Sequence, residues 1–135
     1  VFAPNPKPDD YITSTAPALV LRPGAFRNNA IDVANLKPYV TRVAPRYSEI
    51  RTPTVIVTGD SDSVVLAHIH SEGLARDIDD AELLWIRNLG HKPDHVTTDL
   101  AVRAIEKVAG YDVDLETAAE VAEASLAADN AGCPS

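Results

Sequence analysis

Two short apolar segments lie in the middle of the chain, and each is followed by a polar turn. Residues 54–58 are mostly β-branched, and residues 82–86 read Glu-Leu-Leu-Trp-Ile. Short apolar runs of this kind are typical of strands that are buried on both faces. The turns that follow contain Gly59 and Gly90, and glycine permits sharp changes of chain direction. The pattern predicts two buried strands whose ends carry polar loops.

Helical periodicity follows each predicted strand. We expect a first helix over residues 64–76, with Ser63 as its N-cap. Its buried stripe would consist of Val65, Ile69 and Leu74. Thr97 or Thr98 is expected to cap a second helix that runs to Val108, with Gly110 ending it as a C′ glycine. Its apolar face comprises Leu100, Ala101, Ala104, Ile105 and Val108. The order strand–helix–strand–helix, with short turns, predicts a parallel βαβα unit of the α/β class.

The segments on either side of this unit differ from it in composition. Residues 1–10 contain three prolines and are expected to form an extended connector. Residues 18–21 predict a short helix or lid segment, and residues 25–43 predict one amphipathic helix, or two separated near Pro38. Residues 114–129 are rich in Ala and Glu, which favours either a terminal acidic helix or disorder. The predicted division is therefore 1–50 for the connector and helical cap, 51–110 for the α/β unit, and 111–135 for the acidic tail.

Composition restricts the class of partner. The 135 residues carry a formal net charge of -8, which argues against nucleic acids and anionic membranes, since both demand clustered Lys and Arg. No apolar run approaches the roughly 20 residues of a membrane span. The sequence starts at Val1 and contains no Met, so we expect a processed or truncated piece of a longer protein. Cys133 has no internal disulfide partner, and a free thiol is expected in preference to a link to another chain.

An acid and a histidine stand just beyond the two predicted strands, in Thr58-Gly-Asp-Ser-Asp62 and Leu89-Gly-His91. The carboxyl ends of neighbouring parallel strands bring their loops together. A carboxylate that orients a proton-transferring histidine is two-thirds of a hydrolytic triad. The structural alternatives are an acid at a helix N-terminus for Asp62 and an ordinary loop histidine for His91. Asp60 is the rival partner, but we expect it to face solvent.

The histidines do not suggest a metal site. His68 and His70 stand two residues apart on the predicted helix and would point to different sides of it. Pro93 lies between His91 and His95 and argues against a shared helical face. We therefore expect neither a metal nor another cofactor.

The nucleophile of a triad is missing from this sequence. A serine nucleophile of this type stands in Gly-x-Ser-x-Gly, a strained turn that exposes its hydroxyl group. None of the serines fits that motif. They are Ser14, Ser48, Ser61, Ser63, Ser71, Ser125 and Ser135.

Residues 53–109 resemble the C-terminal end of an α/β-hydrolase. Residues 53–62 are similar to the penultimate strand and acid turn of that family, and Leu89-Gly-His91 is similar to its histidine loop. The order of acid before histidine agrees with the family order Ser…Asp…His. Residues 11–50 resemble the end of the helical cap, and residues 21–30 and 46–50 in particular resemble a bacterial esterase-like subgroup.

The resemblance implies a βαβα portion of an α/β-hydrolase sheet with a cap remnant. Either an N-terminal half on a separate chain completes it, or the chain is an inert fragment. That half would supply the nucleophile and the oxyanion hole. Asp62 would orient His91, which would act as general base and then general acid on a small carboxylic ester. The implied pocket-lining residues are Tyr11, Leu19, Leu21 and Phe26.

The same family frame also cleaves lactones, amides, epoxides and halides, so the resemblance does not fix the substrate. An alternative from another functional class is a non-catalytic binding or interaction module. In that case the βαβα unit is retained, and Asp62 and His91 serve the structure only.

Overall fold

The computed structural model describes residues 2–131, and side chains up to residue 129. The predictions for Val1 and Cys133 therefore lie outside the described residues. The α-helices are α1 (Tyr11–Thr15), α2 (Pro23–Val43), α3 (Ser71–Asp77), α4 (Pro93–Val96), α5 (Thr98–Val108) and α6 (Leu115–Ala131). The 3-10 helices Pro17–Leu21 and Ala44–Glu49 flank α2, and the strands are β1 (Thr54–Gly59) and β2 (Ala81–Ile86).

The chain has a mixed α/β fold in which β1 and β2 form a parallel pair. Thr54 pairs with Ala81 at one end of the register, and Gly59 pairs with Ile86 at the other. Both strands lie within one residue of the predicted bounds at each end. Because the carboxyl ends are level, the loops that follow the two strands begin side by side.

The hydrophobic core lies on one face of this pair, beneath α5 and α6. Ile86, Leu89, Leu100 and Leu126 are buried and in mutual contact. The partly buried side chains packed against them are Val57, Leu84, Val96, Ala118, Ala119 and Ala122. The acidic tail thus includes a helix that completes the core, and one of the two outcomes left open by its sequence is realised over residues 115–131.

Helix α6 is also held by charge at the end of β2. The Arg87 backbone N–H donates to Glu123 Oε1 at 2.8 Å, and its guanidinium group donates to Oε2 of the same carboxylate. The pKa of Glu123 is held below its ordinary value, chiefly by the Arg87 side-chain hydrogen bond. Acidic residues in the tail are therefore not merely solubilising, since one of them ties α6 to the sheet.

The C-terminal end of α5 follows its sequence signal, whereas the N-terminal end lacks the side-chain cap that its threonines suggest. Gly110 has φ of 94°, and its N–H bonds to the Lys107 carbonyl oxygen while that of Tyr111 bonds to Glu106. This is the Schellman arrangement, and the predicted C′ glycine is confirmed. Thr97 is the N-cap residue but makes no side-chain cap, because its hydroxyl group donates to the Pro93 carbonyl oxygen instead.

The predicted apolar face of α5 is only partly buried. Leu100 and Ala104 are buried, whereas Ile105 is 64% exposed and Val108 36% exposed. The spacing of apolar residues therefore located the helix correctly but overestimated how much of its surface is covered.

The helix predicted over residues 64–76 is wrong in its N-terminal half. The helix α3 begins only at Ser71, and turns occupy most of the preceding residues. The N–H groups of Val64 and Val65 bond to the Asp62 carboxylate, which takes the role predicted for Ser63. Two adjacent β-branched residues also disfavour a helix here. As a result Ile69, predicted to be buried, is 57% exposed.

The N-terminal helices are little buried. Residues 18–21 lie in the 3-10 helix Pro17–Leu21, and α2 is a single helix that continues through Pro38. No residue of α2 is buried. Its large apolar side chains are exposed, among them Phe26, Ile31, Val33, Leu36 and Tyr39. None of the described helices is long and apolar enough to span a membrane.

Gly59 offers a direct test of how the two polar loops are held together. A Cβ atom at this position would overlap the Leu89 carbonyl group. We therefore expect Gly59→Ala to lower the free energy of unfolding by about 2–3 kcal/mol, because backbone must move to make room. Chemical denaturation measures this quantity.

The matched control for that substitution is Gly24→Ala. Gly24 has open space around the added methyl group and lies in α2. It should be neutral or stabilising by up to about 1 kcal/mol, since alanine favours helix more than glycine does. Equal losses of stability in both variants would contradict the close-approach explanation.

Candidate catalytic pair at the strand ends

The acid turn, residues 59–62, is bonded across to the end of β2. The Asp60 N–H donates to the Ile86 carbonyl oxygen, and the Ser61 N–H donates to the Leu89 carbonyl oxygen, both at 3.1 Å. Gly59 allows this approach because it has no side chain to meet Leu89. The turn and the histidine loop, residues 87–92, are therefore one packed unit and not two independent loops.

The histidine loop is anchored through Leu89, which is fully buried in the core. On its N-terminal side, Asn88 has φ of 62°, in the left-handed region that asparagine tolerates better than most residues. The Asn88 N–H donates to Asp60 Oδ1 at 2.9 Å. These contacts set the direction in which the chain leaves Gly90, and so the position of His91.

Asp62 and His91 lie in contact, as the parallel arrangement predicts. The distance from Asp62 Oδ2 to His91 Nδ1 is 3.1 Å. The Asp62 side chain is 10% exposed and the His91 side chain is 30% exposed. The catalytic role of the two residues stays a prediction, but the contact between acid and histidine that it requires is present.

The other carboxylate oxygen of Asp62 fixes the orientation of the acid. Oδ1 accepts the N–H groups of Val64 and Val65 at 2.8 and 2.9 Å. Burial by itself raises the pKa of Asp62, but the Val65 N–H, His91 and the Val64 N–H together hold this pKa below its ordinary value of 3.8. Asp62 is therefore an ionised, oriented acceptor at neutral pH.

An ionised acceptor determines the tautomer of the histidine. A carboxylate can only accept hydrogen bonds, so the neutral His91 ring must carry its proton on Nδ1. The other ring nitrogen, Nε2, then has a lone pair. A ring held in this way can take a proton at Nε2 while Asp62 stabilises the charge that forms.

Asp60, the rival acid, has a different role. It is exposed, but its carboxylate is not simply solvent-facing. Oδ1 accepts the Asn88 N–H and also the Ser61 hydroxyl group, the latter at 2.8 Å. The two acids of the turn therefore bind different groups. Asp60 binds the backbone N–H of Asn88, and Asp62 binds the His91 ring.

One contributor to the site was missed by sequence reasoning. Asn5 was assigned to an extended connector, but it is buried, 5% exposed, against the histidine loop. Its side chain bonds to the Asn88 carbonyl oxygen and to the Gly90 N–H. The one local signal is that Asn5 is a polar residue between two prolines. That pattern does not indicate a partner more than eighty residues away in the sequence.

The residues predicted to line a pocket differ in how far they are buried. Tyr11 is partly buried, and its ring packs edge-on against the rings of Phe2 at 4.8 Å and His95 at 5.1 Å. Leu19, Leu21 and Phe26 lie on the 3-10 helix and α2 and are 49, 68 and 57% exposed. Through His95, Tyr11 contacts the segment that follows the histidine loop.

The remaining histidines do not form a cluster. His68 and His70 precede α3, so the prediction that they lie on a helix is wrong, and both are exposed. His95 lies in α4, where Pro93 is the first residue. Within the part of the chain whose side chains are described, no group of three or more His, Cys, Asp or Glu side chains could hold a metal ion.

A cleft of about 920 Å³ lies between α5 and α6. It is lined by residues from Val96 onward and includes neither Asp62 nor His91. The cleft is therefore not a candidate site for the chemistry of Asp62 and His91. What matters for that chemistry is the space that the exposed part of the His91 ring faces.

Comparison with known proteins gives no match, whether with protein-family models, with curated proteins or with solved structures. The resemblance to α/β-hydrolases therefore depends on the residues and the geometry alone.

The lowered pKa of Asp62 makes a prediction about stability in acid. Because the folded pKa lies below the unfolded one, Asp62 stabilises the fold fully above about pH 4, and this contribution is lost as pH falls through the folded pKa. Asp62→Asn cannot titrate. From about pH 6 to about pH 2.5, wild type should lose more free energy of unfolding than this variant. Equal losses, measured by urea denaturation, would contradict the assignment.

Proposed function

We propose that this chain is the C-terminal part of a serine-dependent α/β-hydrolase that cleaves carboxylic esters. Asp62 and His91 are its acid and its base, and an N-terminal part on another polypeptide supplies the nucleophile and the oxyanion hole. The observation that carries the proposal is the 3.1 Å contact between Asp62 Oδ2 and His91 Nδ1 at the carboxyl ends of two parallel strands.

The protonation states support the assignment of roles. With the proton on Nδ1 and Asp62 ionised, His91 Nε2 accepts the proton of an attacking hydroxyl group. The same nitrogen then returns that proton to the leaving alcohol. Asp62 stays ionised throughout and stabilises the imidazolium form between these two steps. No cofactor takes part in these proton-transfer steps.

Two serines near the acid turn, Ser61 and Ser71, have other hydrogen bonds. Ser61 donates to Asp60, and Ser71 donates to the Thr58 hydroxyl group at 3.0 Å. Neither stands in a nucleophile motif. A nucleophile from a companion polypeptide is consistent with both facts.

The exposed apolar surface supports a companion of substantial size. Phe26, Leu36 and Tyr39 of α2 are each more than half exposed, as is Leu21 in the preceding 3-10 helix. A parallel sheet of two strands also leaves backbone hydrogen-bonding groups open at its edges. A hydrolase core would cover both features, since it offers further strands and an apolar face.

The catalytic assignment is tested by His91→Ala in the enzyme reconstituted with its N-terminal part. Loss of the general base should reduce kcat for a short p-nitrophenyl ester by about 10³-fold or more. The control is His68→Ala, which removes an exposed histidine before α3 and should leave kcat within about twofold. Unchanged hydrolysis in His91→Ala would remove the catalytic claim.

Intact mass spectrometry of the native preparation identifies the companion. A second polypeptide that carries Gly-x-Ser-x-Gly is expected. If no such polypeptide is found and no ester is hydrolysed, the chain is instead a binding module that retains the βαβα unit.

The chain made alone should be poorly soluble or should self-associate, because of its exposed apolar side chains and open sheet edges. Size-exclusion chromatography at several concentrations measures this. Addition of the N-terminal part should restore a single species of larger size. A well-folded monomer at all concentrations would contradict the need for a companion.

A further inference from the structure

Asn5 forms two hydrogen bonds that bracket Leu89, the residue two before His91. Its side-chain N–H donates to the Asn88 carbonyl oxygen at 2.6 Å, and its Oδ1 accepts the Gly90 N–H at 2.8 Å. The two bonded groups lie on either side of the Leu89 residue. A side chain from near the start of the chain thus binds the backbone that leads directly into His91.

A primary amide suits the chemistry of this contact. One end of the side chain must donate and the other must accept, and asparagine provides both in a single rigid group. Leucine has neither, and aspartate accepts but, when ionised, does not donate. The Gly90 N–H is buried, so loss of its acceptor leaves an unsatisfied donor, which costs about 1–3 kcal/mol.

The same segment is also held by the acid turn. Asp60 accepts the Asn88 N–H, and the Leu89 carbonyl oxygen accepts the Ser61 N–H. The backbone from Asn88 to Gly90 is therefore hydrogen-bonded by two separate parts of the chain. The acid turn supplies one set of hydrogen bonds and also contains Asp62. Asn5 supplies the other set and lies outside the acid turn.

The backbone before Asn5 packs tightly against Gly90, so a movement of that backbone would displace Gly90. A Cβ atom there would overlap the Ala3 carbonyl oxygen and approach the Phe2 carbonyl oxygen to 3.1 Å. The segment from Phe2 to Asn5 thus packs directly on the residue before His91. If this segment moves away, Gly90 loses both its hydrogen bond and its neighbour.

We propose that Asn5 is a positioning residue, which holds the histidine loop so that the His91 ring meets Asp62. Its effect on turnover rests on the proposed hydrolase function, whereas its effect on the His91–Asp62 contact does not. Asn5 bonds to the Asn88 carbonyl oxygen and the Gly90 N–H and so acts through the loop backbone.

The test compares two substitutions at Asn5 with a control. Asn5→Ala removes both hydrogen bonds. Asn5→Asp keeps the size and the acceptor to Gly90 but removes the donor to Asn88, so it covers the case in which the alanine variant does not fold. The control is Asn35→Ala, because Asn35 also donates to a backbone carbonyl oxygen, that of Ile31, but on the exposed surface of α2.

The readout is imidazole NMR of the full chain at a concentration at which it is soluble, or of its complex with the N-terminal part. In wild type and Asn35→Ala, the His91 Nδ1 proton should give a downfield signal that exchanges slowly because it is bonded to Asp62. In Asn5→Asp, and in Asn5→Ala where it folds, that signal should shift upfield and exchange about 10-fold faster or be lost. A variant that is less stable but retains the wild-type Nδ1 signal would overturn the proposal.

Turnover provides a separate arm in the reconstituted enzyme. A mispositioned base should lower kcat for a short p-nitrophenyl ester by about 10²-fold, with a much smaller change in KM. A change confined to KM would overturn the positioning role. If wild type itself hydrolyses no ester, the proposed function fails, and the NMR result alone then decides whether Asn5 positions His91.

Discussion

The close approach of Gly59 to the Leu89 carbonyl group is the constraint on which the candidate site depends. Parallel pairing brings the two strand ends level, but level ends alone do not join their loops. The missing side chain of Gly59 lets the acid turn settle on the histidine loop, and the Ser61 N–H then bonds to Leu89. Because Leu89 is also buried in the core, the same residue ties the loop contact to the packing of α5 and α6.

Asp62 combines two roles that its sequence context presented as alternatives. One carboxylate oxygen binds the backbone of Val64 and Val65, which is a structural role, although no helix begins there as the structural alternative expected. The other oxygen binds His91. The structural bonds are what make the second role possible, because they orient the acid and help to keep its pKa low. A carboxylate left free to rotate would hold the ring far less well.

Sequence reasoning worked where a signal was local and failed where a partner was distant. The strands and the Gly110 cap follow from short runs and a single residue, and both were predictable. The contact between Asp62 and His91 followed from strand order. The start of α3 did not, because Asp62 rather than Ser63 binds the backbone after the turn. Asn5 could not be assigned, since its partners are set by tertiary packing and not by neighbours in the chain.

The uneven burial of apolar side chains gives the strongest physical reason to expect a companion. The α/β unit and α6 bury leucines and isoleucine around a common centre, whereas α2 buries none of its residues along 21 positions. Helices in proteins owe most of their stability to a packed apolar face. Pro38 also removes a hydrogen bond within α2, at a cost of about 3 kcal/mol. A helix with that cost and an exposed Phe26, Leu36 and Tyr39 would gain stability from a covering surface, and the nucleophile-bearing part that we propose would provide one.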